Sequence, residues 1–159
     1  MKDFFLFLRR WLLVGFWAGF MIYASTGVSS GDNTAHFLRP CLKWIWPDLG
    51  LALIPEINFM IRKAAHVVQF AVYASLLWRG LRLDPPLAVR TRALAWVLGS
   101  SAALAFVSEG IQVFSLQRTP QFTDVGLDFV GSVIGAALIL AIGVLARRSS
   151  PSKPLPPVR

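Results

Sequence analysis

Residues 123–146 read TDVGLDFVGSVIGAALILAIGVLA, and this stretch decides the class of fold. No charged residue occurs between Asp128 and Arg147. An apolar run of this length is typical of a transmembrane helix, which needs about 20 apolar residues. Thr123 is suited to cap the start of the helix, because its side-chain oxygen can accept a hydrogen bond from a free N–H of the first turn. The stretch therefore predicts a spanning helix over 123–146.

The composition of the whole chain is that of a small integral membrane protein. Of its 159 residues, 55% are hydrophobic and 15% are charged, and the mean hydropathy is +0.59. Soluble domains carry about 25% charged residues, so the chain falls well short of a soluble composition. A disordered chain is excluded by the high apolar content, and a disulfide scaffold by the single cysteine, Cys41.

Three further helices are predicted on the N-terminal side of this stretch. They cover about residues 8–28, 56–79 and 91–116, which gives an all-α protein with four transmembrane helices. A cleaved secretory signal is the alternative for the first of them, because Arg9 and Arg10 precede an apolar run. Four such helices fit a single domain over residues 1–146.

The remaining segments are too polar to span. Residues 31–55 mix charges, prolines and tryptophans, and they predict short interfacial helices between the first and second spans. Residues 147–159 are basic and rich in proline, and they predict a disordered tail.

The net charge of +8 is distributed unevenly over the two sides of this arrangement. Eleven of the sixteen basic residues fall on one side: Lys2, Arg9, Arg10, Arg79, Arg82, Arg90, Arg92, Arg147, Arg148, Lys153 and Arg159. The positive-inside rule makes that side cytoplasmic, so both termini are predicted to be cytoplasmic. Membrane orientation thus explains the basic composition. No nucleic-acid-binding signature is present, and no nucleic-acid partner is expected.

Seven polar residues fall at one level, near the outer leaflet, when they are placed on this topology. They are Lys63, His66, Glu109, Gln112, Arg118, Asp124 and Asp128. Asp124 and Asp128 are four residues apart, so both carboxylates lie on one helix face. Gly131 and Gly135 extend that face as a GxxxG pair, which predicts close helix packing there.

This pattern supports three interpretations. In the first, Lys63 and Arg118 grip an anionic group, and Gln112 and Asp124 complete the binding site. In the second, His66, Glu109 and Asp128 are catalytic residues that supply acid–base chemistry. In the third, the charges form a structural salt-bridge network. No HExxH or comparable ligand spacing occurs, so neither a metal ion nor another cofactor is predicted.

Two blocks of the chain resemble VanZ-like membrane proteins. Residues 62–66, RKAAH, followed by Tyr73 and Leu77, resemble the RKxxH…Y…L stretch of that family. The second resemblance is to the ExxQ…R…D…D/NxxGxxxG block, and its residues here are Glu109, Gln112, Arg118, Asp124, Asp128, Gly131 and Gly135. The resemblance covers about residues 8–145.

The resemblance implies a small multi-pass protein of the bacterial cytoplasmic membrane. The family is named for a member linked to low-level resistance to teicoplanin, which acts on cell-wall precursors at the outer face. We therefore expect the outer residues to bind an anionic lipid or a lipid-linked envelope precursor, with membrane lipids as the partners. A hydrolase or transferase acting on lipid-linked phosphate is the alternative, and no oligomeric state is predicted.

Overall fold

The computed structural model describes residues 2–26, 31–81, 87–114 and 121–148, and this part of the chain is all-helical. It contains five helices: α1 (Lys2–Ser25), α2 (Gly31–Ile45), α3 (Leu53–Gly80), α4 (Leu87–Val113) and α5 (Phe122–Arg148). The all-α class predicted from the sequence is therefore confirmed.

The ends of the helices differ from the prediction where local turn chemistry decides them. Helix α1 begins at Lys2 instead of near residue 8, because the apolar run before Arg9 continues the helix. Helix α3 begins at Leu53 and holds Pro55 in its first turn, where the missing proline N–H has no helical partner to lose. Helix α4 begins at Leu87, directly after Pro86, and ends at Val113 instead of 116.

The start of α5 also departs from the expected cap. The helix begins at Phe122, one residue before Thr123. Thr123 therefore lies inside the helix and is not its cap, and its hydroxyl donates to the side-chain oxygen of Gln121 at 3.4 Å. At the other end, Arg147 and Arg148 belong to α5 and not to the tail. The rest of the predicted tail lies outside the described residues.

The segment after α1 contains one helix of 15 residues, α2, where several short helices were expected. The side-chain amide of Asn58 donates to the carbonyl of Gly31 at 2.9 Å and ties the start of α2 to α3. At the other end, the ammonium of Lys43 donates to the carbonyls of Pro47 and Leu49, at 3.2 and 2.7 Å. The first contact holds α2 against α3, and the second closes the turn that follows α2.

Helix α3 is the centre of the bundle and packs against each of the other four helices. It runs antiparallel to α1, where the indole N–H of Trp17 donates to the carbonyl of Gln69 at 3.0 Å. It runs parallel to α5, because Lys63 lies beside Asp124 and Ser75 beside Gly135. The apolar core lies between α1, α3 and α4 and comprises Val14, Met21, Phe70, Tyr73, Ala74, Leu77, Trp78, Ala93, Val97 and Ala105.

Three of the described helices are long and apolar enough to cross a membrane. The candidate spans are Phe4–Ser25 in α1, Thr91–Val113 in α4 and Phe122–Leu145 in α5. Large apolar side chains on these helices face outward, such as Phe16 and Trp96. Helix α3, with 28 residues, is about 42 Å long and so is long enough to span. It is not among the three candidate spans, because polar residues in its first half lower its mean hydropathy.

Candidate functional site

Six of the seven polar residues singled out in the sequence belong to one hydrogen-bonded and charged group between α3, α4 and α5. We call this group the polar cluster; it comprises Lys63, His66, Glu109, Gln112, Asp124 and Asp128, joined by Gln121. The four residues from α4 and α5 are less than a tenth exposed. The seventh predicted residue, Arg118, lies outside the described residues.

The pair of His66 and Asp128 joins α3 to α5. The imidazole Nδ1 of His66 lies 2.9 Å from Oδ1 of Asp128, which has no exposed surface. The other ring nitrogen, Nε2, lies 4.0 Å from Oδ2 of Asp124. A carboxylate that accepts a hydrogen bond from Nδ1 fixes the ring orientation and leaves Nε2 able to accept a proton. The second carboxylate oxygen of Asp128 has no hydrogen-bond partner within the described part of the chain.

The ammonium group of Lys63 is engaged by its own protein. It forms an ion pair with Asp124 and donates to the side-chain oxygen of Gln121 at 3.0 Å. It also lies 5.2 Å from the ring centroid of Phe59. These contacts use two of the three ammonium donors, so Lys63 has little capacity left for a ligand.

Glu109 connects α4 to the start of α5. One carboxylate oxygen accepts the side-chain amide of Gln112 at 3.1 Å, and the other accepts the backbone N–H of Gln121 at 3.0 Å. Sequence reasoning missed Gln121, because a backbone N–H in a turn leaves no mark in residue type or spacing.

Gly131 and Gly135 lie where α3 and α5 approach most closely. A Cβ atom at Gly131 would overlap the backbone carbonyl of Val67, and one at Gly135 would overlap that of Ala71. The hydroxyl of Ser75 donates to the carbonyl of Gly135 at 3.2 Å across the same contact. Because the backbones lie so close, the short side chains of Asp124 and Asp128 can reach α3.

A pocket of about 410 Å³ opens between the end of α1, α2 and the first half of α3. We call it the α2–α3 pocket. Its lining is mostly apolar, and its polar members are Ser25, Thr34, Asn58, Arg62, His66 and Gln69. Among the residues whose side chains the structure describes, the lining contains no carboxylate, and His66 belongs both to this lining and to the polar cluster. The sequence did not indicate this pocket, because it depends on where α2 docks.

The described residues offer no ready metal site. No group of three or more histidine, cysteine, aspartate and glutamate side chains is placed to hold a metal ion there. The groups that face the pocket and could act on a ligand include the guanidinium of Arg62 and the imidazole of His66 with its carboxylate partner.

A helical bundle with three apolar helices of spanning length and a buried polar cluster is the architecture of a small integral membrane protein. The VanZ/LLP1 family model matches residues 7–144. The chain therefore belongs to the VanZ-like family of membrane proteins, which confirms the resemblance seen in the sequence. No curated protein and no solved structure matches the chain.

Proposed function

We propose that this VanZ-like protein binds an anionic lipid or a lipid-linked envelope precursor in the α2–α3 pocket. The observation that carries the proposal is the pocket itself, a mostly apolar space. Among the residues whose side chains the structure describes, its lining contains one permanently charged residue, Arg62, and the ionisable His66. Its volume lies within the range of about 300–1,000 Å³ that is usual for small-molecule sites.

The lining divides into a part for an apolar chain and a part for a polar head. Phe37, Leu38 and Ile61 offer the apolar surface, whereas Arg62 and Asn58 offer hydrogen-bond donors. A guanidinium can bind a phosphate with two parallel hydrogen bonds. In this proposal Arg62 takes the role that the sequence suggested for Lys63, because Lys63 is paired with Asp124. A ligand contact by Arg118 stays a prediction.

The proposed topology has four spans. Helix α3 is added to the three apolar helices α1, α4 and α5. Its polar face packs against α5, so the charged side chains there need not face lipid. Both termini are then cytoplasmic, α2 lies at the outer interface, and the pocket opens on the outer side of the bacterial inner membrane. A protein that holds an envelope precursor at that face would act where teicoplanin acts, and we propose a link to glycopeptide resistance on this ground.

Native mass spectrometry of the full chain in detergent micelles, with a polyprenyl phosphate as probe, tests the binding proposal. We expect a bound lipid on the wild type, and a loss of at least about tenfold in occupancy for Arg62→Gln, which removes a charge-assisted hydrogen bond. Leu38→Trp, which fills the pocket, is expected to reduce binding as well. Arg39→Gln is the matched control, since Arg39 is exposed on α2 and does not line the pocket.

The proposal is contradicted if the wild type binds no polyprenyl phosphate, or if Arg62→Gln and Arg39→Gln bind it equally well. The second result would also show that Arg62 acts only as one more surface charge.

One observation favours a second candidate, a hydrolase acting on lipid-linked phosphate. His66 lines the pocket while its Nδ1 is held by the buried carboxylate of Asp128, an arrangement suited to a general base. The imidazole would accept a proton from water as the water oxygen bonds to phosphorus and the bond to the leaving group breaks.

Release of inorganic phosphate from a polyprenyl diphosphate is the assay for this candidate. We expect release by the wild type and by Arg39→Gln, and its loss in His66→Gln. Absence of release by the folded wild type would exclude this hydrolysis while leaving the binding proposal intact.

A further inference from the structure

A second pocket lies at the opposite end of the bundle from the polar cluster, between the start of α1 and the end of α3. We call it the arginine pocket; it has a volume of about 290 Å³ and is lined by Leu6, Arg9, Arg10, Leu13, Leu76, Arg79 and Gly80. Three guanidinium-bearing side chains thus share one small space, although Arg79 is about 70 residues away from the others in the sequence. The antiparallel packing of α1 against α3 brings them together.

The charge of this pocket is not neutralised by any salt bridge among the side chains that the structure describes. The salt bridges found there join Lys63 and His66 to aspartates at the other end, and none involves an arginine of the pocket. In the sequence, only Asp3 and Asp84 accompany the eleven basic residues of this end. Like charges held together repel, so an anion bound among them would remove an unfavourable interaction.

The depth of the pocket places it at the boundary between headgroups and hydrocarbon. Arg9 and Arg10 directly precede the charge-free run of α1, and Arg79 directly follows the charge-free residues 64–78 of α3. The three leucines add an apolar wall beside the guanidinium groups. Basic pockets between helices at this level are suited to anionic lipid headgroups.

We infer that the arginine pocket binds the phosphodiester group of an anionic glycerophospholipid. The guanidinium groups donate to the phosphate oxygens, and the upper part of an acyl chain lies against the leucines. A guanidinium donates in a planar fork that matches phosphate. The cluster of positive charge favours a lipid of net negative charge over a zwitterionic lipid with the same phosphodiester group. This site is separate from the α2–α3 pocket and does not depend on what that pocket binds.

Native mass spectrometry of the full chain in detergent micelles tests the inference with three probes. The probes are short-chain phosphatidylglycerol, phosphatidylcholine with the same chains, and inorganic phosphate. We expect the wild type to retain phosphatidylglycerol in preference to phosphatidylcholine, and millimolar inorganic phosphate to leave it bound. Arg79→Gln should lower the phosphatidylglycerol occupancy at least about tenfold, the loss expected for one charge-assisted contact.

Arg92→Gln is the matched control, because Arg92 belongs to the same basic end, is exposed and does not line the pocket. Equal losses in Arg79→Gln and Arg92→Gln would overturn the inference in favour of general surface charge. Displacement of the lipid by inorganic phosphate would assign the pocket to a soluble anion instead. Equal retention of phosphatidylglycerol and phosphatidylcholine by the wild type would also overturn the inference. This comparison needs no variant, so it can be made even if Arg79→Gln does not fold.

Discussion

Nδ1 of His66 lies 2.9 Å from Oδ1 of Asp128, although the two residues are 62 positions apart in the chain. Asp128 has no exposed surface, and its other oxygen has no hydrogen-bond partner within the described residues. The imidazole is therefore the side-chain partner that the structure provides for this buried carboxyl group. The contact also fixes the position of α3 against α5 at the wall of the α2–α3 pocket.

The coupling of this pair can be measured with a double-mutant cycle. We expect His66→Ala and Asp128→Ala to lower the free energy of unfolding by about 1–3 kcal/mol each, because each removes the hydrogen-bond partner of a buried or partly buried polar group. The double variant should lose about 1 kcal/mol less unfolding free energy than the sum of the two single losses, because the effects of mutating two residues in contact are not additive. Reversible unfolding in mixed detergent micelles measures these values, and strict additivity would contradict a direct interaction.

The close approach of α3 and α5 predicts opposite results for two glycines of one helix. Gly135→Ala should lower the free energy of unfolding by about 1–3 kcal/mol, because its new methyl group overlaps the carbonyl of Ala71. Gly143→Ala should be neutral or stabilising, because nothing lies within 4 Å of a Cβ there and alanine favours a helix. Thermal unfolding of both variants in the same detergent makes the comparison, and equal effects would speak against the close contact.

The ion pair of Lys63 and Asp124 predicts recovery by charge exchange. Lys63→Asp and Asp124→Lys should each destabilise the protein, since each places like charges side by side between α3 and α5. The variant carrying both changes should regain part of the lost unfolding free energy. If Lys63 instead serves mainly as a ligand clamp, the exchange would leave stability unchanged and abolish lipid binding.

Glu109 is expected to act through the first turn of α5. Glu109→Ala removes the acceptor of the backbone N–H of Gln121, so that hydrogen exchange at the start of α5 should become faster. Glu109→Gln keeps an acceptor and should preserve most of the protection. Hydrogen–deuterium exchange of the peptide that contains Gln121 measures the protection in both variants. Equal protection in wild type and Glu109→Ala would contradict the proposed hydrogen bond from Gln121 to Glu109.

The proposed four-span topology can be tested with the single cysteine of the chain. Cys41 is exposed on α2, so a membrane-impermeant maleimide should label it in intact cells. Lys153→Cys in a Cys41→Ser background should be labelled only after the cells are opened. The reverse pattern would invert the orientation. Labelling of both sites in intact cells would mean an even number of spans between them and would contradict the proposal that α3, α4 and α5 all cross the membrane.

Much of the architecture follows from local sequence. The apolar runs predict helices at α1, α3, α4 and α5, and the motifs around His66 and Asp128 indicate the family that the family model confirms. These features depend on hydropathy and on spacing within one segment, which the sequence displays directly. The helix ends were less accurate, because they depend on single turns such as the one at Gln121.

The partners of the polar residues were decided only by the tertiary structure. The sequence places Lys63 near the carboxylates of α5, but whether its ammonium faces a ligand or Asp124 depends on the rotation of α3 about its axis. The α2–α3 pocket and the arginine pocket likewise arise between segments distant in the chain. Residue type and spacing determine that this protein is a helical membrane protein with costly buried charges. Only packing, which sets distances between helices to within an ångström, determines which charges neutralise one another and which remain available to a ligand.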